Sequence, residues 1–111
     1  MELTISEERH NEGVMVLNIV GRLNADTAGE LKERVKSLIE ESFIHIIFVL
    51  TETSFIDSSG LSAIVSTLKR VREKNGSLKL VGVSSNVRKV FELTHLERIF
   101  EFYEDVEQAL K

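Results

Sequence analysis

The stretch FIHIIFVL, residues 43–50, constrains this chain more than any other. It is apolar throughout except for one histidine, with no polar alternation. A strand with one wet face alternates, so a run this continuous suits a central strand buried on both faces. Patterns of helical period flank it. Ala28, Leu31, Val35, Leu38 and Ile39 recur at that spacing up to about Glu41. Leu61, Ile64, Val65, Leu68 and Val71 do the same between about Ser58 and Lys74. Helices on both sides of a buried strand imply parallel strands joined by right-handed crossovers.

The rest of the chain extends that pattern. Residues 3–9 alternate Leu3, Ile5 and Glu7 against Thr4 and Ser6, which reads as a half-exposed strand. Asn11-Glu12-Gly13 is a turn signal, and Val14 to Val20, closed by Gly21, reads as the hairpin partner. Asn24 is placed to cap a helix beginning near Ala25. Asn75-Gly76 ends the second helix, and Leu78 to Val83 forms a further strand. Ser84 or Ser85 caps a third helix, with Val87, Val90, Phe91 and Leu93 as its core candidates, running to about His95. Ile99 to Phe102 suits a short last strand, and Asp105 to Lys111 a terminal helix with Val106, Ala109 and Leu110 inward. The result is an α/β sandwich: a mixed, mostly parallel sheet with an N-terminal hairpin and four helices, in one domain spanning residues 1–111.

Composition narrows the function. With 14 basic and 18 acidic residues the net charge is −4, which disfavours nucleic acid or an anionic membrane as partner. There is no cysteine, hence no disulfide and no thiolate chemistry. The opening MELTISEERH lacks a signal-peptide pattern, and no apolar run reaches the ~20 residues of a membrane span, so the expected location is the cytoplasm. His10, His45 and His95 have no metal-ligand spacing. His45 is expected at a strand start or satisfied by a hydrogen bond, and His95 near a helix end. Most phenylalanines are core candidates; Phe55 is the exception, placed to brace the following loop or touch a partner.

That loop is SFIDSSGL, residues 54–61. It joins the buried strand to the second helix, where open α/β sheets keep their functional loops. One reading is simple capping, because Asp and Ser oxygens accept from the free amides of a first helical turn. Another is a modification site, because phosphate on a first-turn serine meets those amides and the positive end of the helix dipole. Three catalytic readings fail. A G-x-S-x-G elbow would need glycines where Asp57 and Leu61 stand, and no P-loop motif occurs. A receiver domain using Asp57 would need an acidic cluster after its first strand, where only Asp26 follows Gly21-Arg22-Leu23-Asn24. Thr51 and Thr53 read as ordinary loop residues.

Three segments, VGRLNADTAGELKERV (20–35), FVLTETSFIDSSGLSAIV (48–65) and LKLVGVSSNVRKVFELTHLERIFEFYEDVEQAL (78–110), together resemble the STAS domain, specifically the stand-alone bacterial anti-sigma factor antagonists. The resemblance implies the STAS-type sandwich and a partner switch. Unphosphorylated, the chain would bind an anti-sigma factor that is itself a GHKL-type serine kinase, freeing a sigma factor for transcription. That kinase, holding the ATP, would phosphorylate the serine directly before the glycine, Ser59. A PP2C-type phosphatase would reset it. The chain would be a substrate and switch, not an enzyme, with no cofactor or metal of its own; its size and charge suit a monomer. Asn24, Phe55, Asp57, Ser58, Ser59, Gly60 and Leu61 would form the partner surface. In this picture Ser58 caps the helix, Ser59 points outward, and Gly60 leaves room for the nucleotide and the kinase backbone. Asn24 departs from the family's frequent Asp. The alternative is a STAS-type nucleotide- or small-ligand-binding module or scaffold without a phosphoacceptor.

Overall fold

The computed structural model describes residues 3–10 and 13–111, so Asn11 and Glu12 of the anticipated turn lie outside the described residues. Strand β1, Thr4–His10, runs antiparallel to β2, Val14–Leu23. β2 does not stop at Gly21. It passes through that glycine at φ 120°, a conformation closed to most side-chain-bearing residues, and its register shifts between Gly21 and Arg22. The extra length gives β2 two parallel partners in succession. Residues 14–18 pair with β3, His45–Val49, and residues 21–23 pair with β4, Thr53–Ile56.

β4 corrects the sequence reading, which treats these residues as loop. Four residues are too short for periodicity to register, and their pairing depends on β2 continuing past its glycine. β5, Ser77–Val81, lies beside β3, and β6, Glu101–Tyr103, beside β5. The sheet order is β1-β2-β3-β5-β6, with β4 attached to β2. β6 begins later than Ile99 because Glu97–Ile99 wind into a 3-10 turn.

Four helices complete the described residues: α1 Ala28–Glu40, α2 Ser58–Glu73, α3 Ser85–Leu93 and α4 Val106–Leu110. β3 is buried on both faces, as its composition requires. Ile46 and Phe48 join the large core formed with Leu31 and Val35 of α1, Ile64 and Leu68 of α2, and Val87 and Phe91 of α3. Ile47 faces the other way, toward Val16, Val81 and Ala109 of α4. Phe91 meets Phe100 and Phe102 edge-on, with ring centroids 5.3 and 5.6 Å away. His45 opens β3, with its Nδ1 2.9 Å from the hydroxyl of its cross-strand partner Ser77.

Two core assignments fail. Leu93 is 79% exposed and Leu110 41% exposed. Each is the last residue of a short helix, beyond the turn that meets the sheet. No helix among the described residues is long and apolar enough to cross a membrane.

Candidate functional site

The SFIDSSGL segment splits into strand β4 and the start of α2. The joint is Asp57, whose extended backbone (φ −114°, ψ −169°) is that of an N-cap. Its carboxylate accepts from the amide of Gly60 at 3.0 Å. Ser58 is therefore not the cap, contrary to the sequence reading. It is the first helical residue and is exposed, while Ser59, next to it, is half-buried. Asp outcompetes Ser here because the residue before the helix, not the first within it, has the backbone that aims a side chain back at the third amide. By position, the amides of Ser58 and Ser59 have no partner within the helix and face whatever approaches its N-terminus.

The same joint is fastened to β2. The Asp57 amide donates to the Leu23 carbonyl at 3.2 Å. Gly60 is buried against that same carbonyl, where an added Cβ would collide with the Leu23 oxygen and lie 2.9 Å from side-chain atoms of Ile56 and Leu23. The space that glycine leaves is filled by the chain's own strand, so Gly60 makes room for Leu23 rather than for an incoming nucleotide. Leu61 is buried in the core.

Two threonines support this arrangement. Thr53 is not a loop residue: it is 2% exposed, opens β4, and donates its hydroxyl to the Ile19 carbonyl at 2.7 Å. Thr27, also buried, donates to the Arg22 carbonyl at 2.7 Å and accepts from the Asn24 amide at 2.9 Å. Asn24 consequently caps no helix. Its side chain accepts from the Asp26 amide at 3.0 Å, forming an Asx turn, and α1 starts only at Ala28, preceded by Thr27 without a side-chain cap. Phe55 is 38% exposed, as its exclusion from the core candidates anticipated, and the Arg22 guanidinium lies 4.3 Å from its ring centroid. Sequence reasoning passed over Arg22 and Thr27. The G-R-L-N-A-D-T spacing carries no motif that marks either; Arg22 meets Phe55 only through the β2–β4 pairing, while Thr27 bonds locally to the Arg22 carbonyl and the Asn24 amide.

At the carboxyl ends of β5 and β6 an open groove of about 490 Å³ is lined by Gly82, Val83, Arg88, Phe102, Tyr103 and Glu104. Arg88 stacks on Phe102 at 3.9 Å. The Tyr103 hydroxyl donates to Glu101 at 2.7 Å. Losing that bond on ionisation, with burial and the carboxylate's charge adding to it, raises the phenol above its usual range.

Known proteins share this architecture. The anti-sigma-B factor antagonist of Bacillus subtilis is 32% identical over 93 residues, covering 84% of each chain. A crystal structure from Thermotoga maritima superposes with a TM-score of 0.90 at 28% identity, covering 96% of this chain and 91% of that one. Bacillus SpoIIAA in its phosphorylated form shares the fold at 21% identity and a TM-score of 0.78, over 96% of both chains. The STAS domain profile matches residues 6–109, and the chain belongs to the STAS domain family.

Proposed function

We propose that this chain is an anti-sigma factor antagonist, a partner switch set by phosphate on Ser59. The observation that carries this reading is the start of α2. An Asp-capped helix terminus, pinned to Leu23 of β2, holds adjacent serines where its amides and dipole favour an incoming phosphate. The Bacillus subtilis relative, which acts against an anti-sigma factor by name, supports the same reading. Unphosphorylated, the chain binds a GHKL-type anti-sigma factor kinase and frees the sigma factor. The γ-phosphoryl of the kinase's ATP passes to the Ser59 Oγ, leaving ADP, and the hydroxyl proton goes to a base of the kinase. The roughly −1.5 to −2 charges that arrive repel the docked partner. A loss of about 1–3 kcal/mol weakens binding roughly 5–150-fold, enough to exchange partners. A PP2C-type phosphatase resets the switch. In this scheme Asn24, Phe55, Asp57 and Ser58 flank the acceptor on the docking face. Ser59, rather than the more exposed Ser58, is assigned because it directly precedes Gly60.

The test is phosphoryl transfer from Mg-ATP by each GHKL-type kinase of the source genome, read by fragment mass spectrometry on wild type, Ser58→Ala and Ser59→Ala. One acid-stable phosphate lost only in Ser59→Ala is expected. Loss only in Ser58→Ala moves the acceptor by one residue. No transfer and no kinase binding overturns the reading. The groove beside Arg88 favours a second reading, a nucleotide- or small-ligand-binding module, which titration with GTP and ATP in the absence of any kinase examines directly.

A further inference from the structure

Arg22 sits on β2 one residue before the point where that strand touches α2. Its register partner across the β2–β4 pairing is Phe55, over whose ring its guanidinium rests. Among the described residues the guanidinium has no carboxylate in salt-bridge contact. An exposed cation–π contact is worth only about 0.5–1 kcal/mol. Charge-assisted bonds to phosphate are roughly twice as strong as neutral ones, and a guanidinium can make two in parallel. Arg22 is thus held weakly in a place where a stronger partner could claim it.

The residue after Arg22, Leu23, ties β2 to the turn that carries Ser59. Gly60 packs on the Leu23 carbonyl, the Asp57 amide donates to the same oxygen, and Ser59 is one Cα step, about 3.8 Å, from Gly60. Neither residues 23–31 nor residues 44–68 contain a lysine or arginine, so on β2 and its two following segments the cation is Arg22. The acidic residues of those two segments are Asp26, Glu30, Glu52 and Asp57, the last capping the helix that carries Ser59. A dianion arriving among them needs a counter-cation from the β2 side.

We propose that Arg22 is the intramolecular counter-cation for phosphate on Ser59, leaving the Phe55 ring when the phosphate arrives. The inference rests on the phosphoacceptor reading above. It means that phosphorylation changes two things on the docking face together: a charge appears at the start of α2, and an aromatic ring loses its cover.

The test uses the full chain with phosphoserine installed at position 59 during translation, in wild type, Arg22→Ala and Arg22→Lys. Arg22 is exposed, so the variants fold. Phosphorus NMR then follows the second phosphate ionisation. Removing the cation in Arg22→Ala raises its pKa by roughly half a unit, about a three-fold change in the ionisation constant, with Arg22→Lys between. The Arg22 Nε proton, shielded by the Phe55 ring, moves downfield on phosphorylation. Identical ionisation in wild type and Arg22→Ala, or an unmoved Nε proton, overturns the proposal. The parent reading is scored separately by affinity for the kinase that transfers the phosphate. If phosphoserine leaves that affinity unchanged the switch falls, and if affinity is lost without an Arg22 effect only the counter-cation role falls.

Discussion

Helices α2 and α3 each follow a parallel strand and begin with the same device. Asp57 accepts from the Gly60 amide at 3.0 Å, and Ser84 accepts from the Val87 amide at 3.2 Å. Each carries serine in its first turn, Ser58 and Ser59 in α2 and Ser85 in α3. A phosphate at either end would meet the same dipole and similar free amides. The difference lies beneath them. The start of α2 is joined to β2 through the Leu23 carbonyl, with buried Thr53 bonded to the Ile19 carbonyl just upstream. At the start of α3, Ser84, Ser85 and Asn86 are all exposed, and the helix reaches the core only with Val87. Favourable helix electrostatics are common to both; a fixed platform under the serine belongs to α2.

The largest effect that would break this contrast is at Gly60. Alanine there drives a methyl group into the backbone oxygen of Leu23, and backbone cannot step aside as a flexible side chain can. Gly60→Ala is expected to cost about 3 kcal/mol, read as a lower urea midpoint, and to impair phosphoryl transfer by displacing the first turn. An unchanged midpoint would mean the platform gives way easily. Gly29 in α1 is the counter-case, with nothing within 4 Å of an added Cβ. Gly29→Ala should raise stability by about 0.5 kcal/mol, because alanine suits a helix better than glycine.

The two caps give a matched pair of intermediate size. Asp57→Ala and Ser84→Ala should each cost about 1 kcal/mol in chemical denaturation. Only Asp57→Ala should also slow phosphoryl transfer at Ser59 and weaken kinase binding. Equal slowing by Ser84→Ala would show that the kinase reads both helix ends, and would remove the special standing of α2.

The sequence makes the sheet and the three long helices legible because each rests on a signal repeated along its length. FIHIIFVL is buried on both faces, and Leu61, Ile64, Leu68 and Val71 all reach the core. Elements whose partners are distant in the chain escape this kind of reading. β4 exists because β2 runs on through a positive-φ glycine, and Thr53 is buried because that pairing brings it under Ile19. The site itself is half legible. D-S-S-G marks a capped helix start, but whether Asp57 or Ser58 caps is set by backbone angles that either residue type can adopt. Gly60 looks from sequence like space for a ligand and proves to be space for Leu23, since composition does not say which neighbour a missing side chain admits.

The smallest effect sharpens the α3 side of the comparison. The Gly82 amide, at the end of β5 on the way to α3, donates to the Tyr103 carbonyl at 3.0 Å. The Tyr103 phenol is held above its ordinary pKa of 10.0 chiefly by donating to Glu101. The folded chain therefore keeps this proton more tightly than the unfolded chain. The contribution to stability is complete below about pH 10 and is lost as pH rises through the higher folded value. Tyr103→Phe should remove that part of the alkaline decline while leaving the neutral urea midpoint within about 0.5 kcal/mol, because the pair is at the surface and screened. Amide exchange should speed up near Gly82 on the alkaline side in wild type, with residues 57–60 unaffected by the phenol. Equal loosening at both helix starts would mean that the two junctions share one cooperative unit, and the firmer seating of α2 would then be a property of the whole sheet rather than of its contacts with Leu23.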